Sequence, residues 1–309
     1  MPGAARLKLR EAAASLKALD FPFALECHVS DAAGRVDLTV RIHPELRDAM
    51  LLSQVVISDS VAIFLRKWAD PGGPLAAIPY LEVEFDIDDK VWAPWFGPAV
   101  EPFVSRGPLG IYRAQRECPD LLGRGAMLSR HVLEALPTKP PSEGLLHRLS
   151  LAYDALPTMG SINHIGALDA RPSAPMEGIR LIISLPRAAL STYLGDIGWR
   201  GNPDRLEYEL NGLKPYTERV DFDVYLDEDS AGNAMAIYNE FRAPRPADSY
   251  LSDTLDRLSR SGYLSDAVKA AVSNWIIHTD GDIKRVMTFK LSWQNDAPAK
   301  AKLYLSRLD

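Results

Sequence analysis

The chain has 309 residues, 47% of them hydrophobic and 25% charged, with a formal net charge of −6 and an isoelectric point near 5.6. That acidic balance argues against nucleic-acid binding, which calls for a basic stripe, and the two cysteines, Cys27 and Cys118, make no disulfide framework. With no apolar run of about 18 residues and no signal-peptide pattern at its start, the sequence predicts a cytoplasmic protein that does not engage a membrane.

In chain order the pattern opens with a helix over 5–19 and a first β-hairpin, 23–30 with 35–43, around an Asp-Ala-Ala-Gly turn at 31–34. A helix over 44–68 leads to a second hairpin, 80–88 with 91–104. Its second strand carries Pro94 and Pro98, which should make it an edge, bulged or short. Helices over 112–136 and 142–156 follow, then a third hairpin, 162–171 with 179–185. Pro186 ends that strand and suits the start of a helix over 187–195. After a helix over 203–213 comes a fourth hairpin, 219–227 with 234–242, around a Gly-containing loop at 229–233. A helix over 248–276 precedes the last hairpin, 285–293 with 300–306.

Along most of these strands apolar and polar residues alternate, the period that puts successive side chains on opposite faces of a sheet. Ten antiparallel strands make a strongly twisted sheet that tends to curl and close. With the helices outside, closure turns the polar face into a lumen, and a barrel of this size encloses a cavity rather than a packed core. The predicted fold class is therefore α+β, a ten-stranded antiparallel barrel of five ββ units surrounded by helices. The Pro-rich stretch 137–141 reads as a connection between outer helices, and residues 1–309 as a single domain.

Nucleotide-binding glycine loops, the hydrolase elbow and the zincin helix are all absent from the sequence. The six histidines lack ligand spacing, so no metal site made of protein ligands is expected. Asp227-Glu228-Asp229 begins like a calcium loop, but Ala231 and Tyr238 stand where ligands belong, and the segment reads as a hairpin turn. Glu82, Glu84, Asp86 and Asp88 share one side of a strand. They face either solvent or the lumen, and in the lumen they need cations.

Five ββ units ringed by helices resemble the ABBA-type prenyltransferases, and within them the peptide-modifying branch known from cyanobactin pathways. Local stretches carry the likeness over about residues 20–306. Ala24-Leu25-Glu26-Cys27-His28 with the strand through Arg41 is similar to the family's first hairpin, which bears a glutamate base and a basic residue. The strand 178–184 resembles the third, where alternate basic residues hold diphosphate; Arg180 keeps that pattern, while Ile182 and Ser184 depart from it. The stretch 222–227, with Tyr225, and the stretch 301–306, with Tyr304, resemble the fourth hairpin and the closing strand.

The resemblance implies a prenyltransferase that moves a dimethylallyl or geranyl group from its diphosphate, with Mg²⁺ bridging the phosphates, to a nucleophilic side chain of a peptide natural product. Arg41, Arg180, Lys290 and Lys302 lie on polar strand faces, where they can converge on the diphosphate. Tyr225, Tyr238 and Tyr304 offer aromatic faces for an allylic cation. Glu26 is the expected base, its pKa raised by burial, and pairing with Arg41 across the hairpin is compatible with that role. Trp92, Trp95 and Phe96 form either an aromatic rim for a peptide or part of the core. Two other readings stay open: the same chemistry on a small aromatic molecule, and a non-catalytic barrel binding a peptide or lipid, for which Ile182 and Ser184 speak.

Overall fold

The computed structural model describes residues 7, 10, 11, 14, 23–29, 35–47, 59–85, 94–98, 121–135, 141–167, 178–213, 218–242, 249–277, 284–295 and 297–308. Its strands are β1 (Phe23–His28), β2 (Val36–Ile42), β3 (Leu81–Phe85), β4 (Pro94–Pro98), β5 (Ser161–Ala167), β6 (Ile179–Pro186), β7 (Arg219–Leu226), β8 (Ala231–Arg242), β9 (Lys284–Gln294) and β10 (Lys300–Leu308). The helices are α1 (Asp59–Trp68), α2 (Leu121–Ala135), α3 (Glu143–Asp154), α4 (Leu190–Asp196), α5 (Pro203–Leu213), α6 (Ser249–Arg260) and α7 (Asp266–Ile277). None of them is long and apolar enough to cross a membrane.

The ten strands close into one barrel in the order β1-β10-β9-β8-β7-β6-β5-β4-β3-β2. Every neighbouring pair is antiparallel, so each predicted ββ unit forms and the first and last strands meet. Among the described residues the shortest ladder lies where the prolines fall. β4 pairs along its length with β3 but meets β5 among the described residues through Phe96 and Ala167 alone. Proline lacks the N–H that a ladder needs; the flanking residues 86–93 and 99–104 lie outside the described ones.

The outward strand faces are the apolar ones. Leu38, Val40, Val83, Leu181, Phe222, Ile237, Phe289 and Leu303 are buried in one continuous cluster with helix residues such as Phe64, Trp68, Val132 and Tyr193. Tyr193 meets Phe222 edge-on at 6.2 Å. Cys27 lies against this cluster, and burial first, then the charges of Glu26 and Asp37, push its thiol up to about 11. An inert core thiol is what its strand position predicts.

Local chemistry sets the boundaries and moves three of them. The helix expected over 44–68 begins as a 3-10 turn at Pro44–Leu46, and its α-helical part is α1; residues 48–58 lie outside the described ones. The helix expected over 248–276 is two. Gly262, at φ +75, lets the chain leave α6 through hydrogen bonds from Gly262 N to Ser259 O and Tyr263 N to Leu258 O, and Ser265 then caps α7 by accepting from Val268 N at 3.2 Å. The fourth hairpin turns earlier than expected, because Asp227 Oδ1 accepts from the backbone of Asp229 at 2.9 Å and Ser230 at 2.7 Å, and β8 starts at Ala231. That carboxylate serves the turn.

Candidate active site

Register decides what lines the lumen. Glu26 stands opposite Asp37 and Tyr304, Tyr304 opposite Thr288, Lys302 opposite Lys290, Lys290 opposite Tyr238, and Arg180 opposite Tyr225. Their chain neighbours are the apolar residues that pack under the helices, so this polar set faces inward. Glu82 and Glu84 belong to the same face, opposite Arg41 and Thr39. Asp86 and Asp88 lie outside the described residues.

At mid-depth the hub is Asp223, fully buried on β7. Its Oδ2 accepts from Lys290 Nζ and from the Tyr238 hydroxyl, both at 2.8 Å, and Arg180 Nε lies 3.7 Å away. Arg180 also donates to Glu84 Oε1 at 3.4 Å, and the Lys290 ammonium lies 5.0 Å from the Tyr238 ring centroid. Beside this group Lys302 bonds directly to Glu26. His28 stands 3.4 Å from Glu26 and 2.7 Å from Asp37, and Arg35 closes the chain by pairing with Asp37 at 2.9 Å.

These contacts set the charge states. Burial alone raises the Glu26 carboxyl, but the Lys302 charge and hydrogen bonds from His28 and Lys302 outweigh it and hold the acid well below the carboxylate range. The expected upward shift is thus reversed, because β10 delivers an ammonium that sequence spacing does not show. Asp223 behaves alike: burial opposes its ionisation, and Lys290 and Arg180 impose it. His28 moves up, since bonds to Asp37 and Glu26 overcome burial. The phenols stay protonated. Burial first and Asp223 second raise Tyr225 to about 12 and Tyr238 well above its usual value, and burial with Glu26 does the same for Tyr304.

Of the residues singled out from sequence, the structure gathers Glu26, Arg180, Lys290, Lys302, Tyr225, Tyr238 and Tyr304 within mutual electrostatic reach. Arg41 is a different case. It pairs with Glu82 at 2.6 Å rather than with Glu26, and lies over the Tyr80 ring at 4.4 Å, half-exposed. Glu26 therefore takes its partner from β10, not from across its own hairpin. At Ser184, where the resemblance calls for a basic residue, Arg219 of β7 donates to the hydroxyl at 2.9 Å. Trp92 lies outside the described residues, while Trp95 and Phe96 fall within β4, inside the strand expected over 91–104.

Among the lumen residues that sequence reasoning passed over are Asp37, Asp223 and His164. Asp223 was legible, since it alternates with Phe222 and Val224. His164 was not, because a shift in register between Ile162 and His164 reverses the expected alternation.

The cluster of potential metal ligands found among the described residues does not suit magnesium. Glu26, His28 and Asp37 bring ligand atoms within 4.8 Å of one another. However, Glu26 already bonds Lys302 and Asp37 already bonds Arg35, and an imidazole is a poor ligand for a cation that prefers oxygen.

No family model matches the chain, and no curated protein matches it in sequence. Solved structures do match in shape. The crystal structure of AnaPT from Neosartorya fischeri superposes with a TM-score of 0.55 at 12% identity, over 92% of this chain and 77% of that one. The apo form of the prenyltransferase PriB gives 0.51 at 14% identity, over 92% and 80%. A 6-dimethylallyl tryptophan synthase gives 0.51 at 13%, over 92% and 81%. The shared fold is the ABBA-type prenyltransferase barrel.

Proposed function

We propose that this barrel transfers an allylic prenyl group, dimethylallyl or geranyl, from its diphosphate to an electron-rich aromatic acceptor. The observation that carries the reading is the convergence of Arg180, Lys290 and Lys302 with the protonated phenols of Tyr225, Tyr238 and Tyr304 in one lumen. The reaction needs both sets. As the allylic C–O bond breaks, the leaving diphosphate needs fixed cations. The carbon fragment left behind needs aromatic faces, worth about 2 kcal/mol or more when desolvated, and shelter from water.

Each cation already has a carboxylate: Arg180 has Glu84, Lys290 has Asp223 and Lys302 has Glu26. Diphosphate binds by exchange with these residents, taking over hydrogen bonds that the carboxylates release. Glu26, ionised and still held by His28, serves in this reading as a fixed negative charge facing the developing allylic cation. The acceptor ring belongs to a peptide side chain, as the hairpin resemblances suggest, or to a free small molecule. No step is routed through magnesium.

The test is incubation with labelled dimethylallyl or geranyl diphosphate and either a tryptophan- or tyrosine-containing peptide or a free aromatic compound, with and without EDTA. Label should move to one acceptor class, and the chelator should leave transfer intact. Failure to bind either donor at millimolar concentration would sink the proposal. It would favour a second reading, a non-catalytic barrel for an uncharged or zwitterionic ligand, which the fully paired cations and Ile182 support.

A further inference from the structure

We propose that His164 is the group that takes the proton from the aromatic acceptor. The assignment rests on the transferase reading above and names a residue within it. Its first support is the path of β5. Ser161 pairs with Ser184 on the lumen side and Ile162 with Ile183 on the helix side, so strict alternation would bring Asn163 inward and bury His164 beneath the helices. Instead the register slips by one residue, and His164 pairs with Ile182 on the lumen side, next to the rung where Gly166 faces Arg180. Bulges of this kind re-aim side chains and concentrate beside active sites.

The second support is an unmet hydrogen-bonding capacity. His164 is 8% exposed, and neither Nδ1 nor Nε2 has a hydrogen-bond partner among the described residues. Buried polar atoms are seldom left so. Glu82 Oε2 is 3.8 Å from Nε2, too far for a hydrogen bond but near enough to stabilise a charge, and Tyr80 meets the ring edge-on at 5.4 Å. A neutral imidazole has one donor and one acceptor nitrogen, enough to meet an aromatic ligand and receive a proton.

The groups facing His164 favour that neutral form. Burial lowers its pKa, Glu82 and Glu84 from β3 oppose the shift, and Arg41 from β2 with Arg180 from β6 add to it; the net direction is down. Glu26 is the contrasting case, since an acid held far below the usual carboxylate range is a weak proton acceptor.

The step balances without another reagent. The allylic C–O bond breaks and its electron pair leaves on the diphosphate, while a π pair of the acceptor ring forms the new bond to that carbon. The ring cation then gives its proton to the neutral nitrogen of His164, the C–H pair restores aromaticity, and the imidazolium rests beside Glu82.

The experiment compares wild type with His164→Gln and His164→Ala, using labelled donor and an acceptor deuterated at the attacked carbon. Both variants should keep donor binding and lose roughly 10²–10⁴-fold in kcat, the usual contribution of a positioned base. The deuterium effect should rise from near unity to above about 2 as proton loss becomes limiting, since each tenfold slowing of a step adds about 1.4 kcal/mol to its barrier. Free imidazole should restore part of the Ala variant's rate, and the acid limb of the wild-type pH profile, below about pH 6.5, should disappear. Variants that transfer at the wild-type rate with that limb in place overturn the assignment alone. A wild type that transfers to no acceptor overturns the transferase reading and the assignment together. Should neither variant fold, a wild-type profile without that acid limb overturns the assignment.

Discussion

Asp223→Asn separates the two demands placed on the lumen, folding and anion binding. Asp223 is fully buried, and its Oδ2 takes hydrogen bonds from Lys290 and Tyr238, both at 2.8 Å. Neutralising it leaves Arg180 with Glu84 but leaves Lys290 without a carboxylate among the described residues. Removing one partner of a buried pair destabilises by about 3–5 kcal/mol. The amide retains the shape and part of the hydrogen bonding, which places the loss near 3 kcal/mol. In a chain this long, about 2–3 °C of melting temperature goes with each kcal/mol, so a fall of about 6–9 °C is expected by circular dichroism. Inorganic pyrophosphate should reverse most of it. At about a hundred times its Kd a ligand adds about 2.7 kcal/mol, and in the variant no Asp223 carboxylate competes for Lys290 and Arg180. In the wild type the same anion must displace that carboxylate, so its shift should be smaller. A variant melting within about 2 °C of wild type, or a larger pyrophosphate shift in wild type than in variant, would refute the exchange argument.

Two further outcomes concern stability. Glu26 and Asp223 have folded-state pKa values depressed by cations, so their stabilisation is complete above the unfolded carboxylate pKa of about 4 and is lost as pH falls through the lower folded values. Urea midpoints should therefore drop below about pH 4, less steeply in Glu26→Gln; a profile unchanged by that substitution contradicts the linkage. Gly178→Ala should lower the unfolding free energy measured in urea by about 2–3 kcal/mol, because its Cβ would meet Leu226 O at 2.4 Å and backbone cannot yield cheaply. Gly195→Ala is the control. No atom lies within 4 Å of its added Cβ in α4, and a helical Gly→Ala exchange gains up to about 1 kcal/mol.

Closure of the barrel was legible because it follows from a pattern repeated along most of the strands. Strands such as 220–226, Val-Asp-Phe-Asp-Val-Tyr-Leu, leave one polar face that tolerates neither the core nor a layer of helices. The places where reading failed are local events that periodicity averages away. Gly262 breaks a helix that the flanking residues would continue, and Asp227 starts its turn with a side chain rather than with glycine. One slipped residue on β5 turns His164 around. Partner choice was equally hidden: that Glu26 would meet Lys302, 276 positions away, depends on which strands become neighbours when the sheet closes. The sign of its pKa shift depends on the same closure.

The carboxylates of the lumen explain how a barrel with two buried cations, Arg180 and Lys290, and a part-buried third, Lys302, stays folded. An ammonium or guanidinium taken out of water is tolerated only when paired, and Glu84, Asp223 and Glu26 supply that pairing from strands on different sides of Arg180, Lys290 and Lys302. The same pairing weakens the attraction for any incoming anion, since the anion must do better than the carboxylates it replaces. In the transferase reading proposed above, diphosphate meets that requirement where chloride does not, because its several oxygens can accept from more than one cation. On that reading, selectivity for diphosphate over chloride follows from the competition itself. A lumen with bare cations would bind every small anion and would be less stable without one.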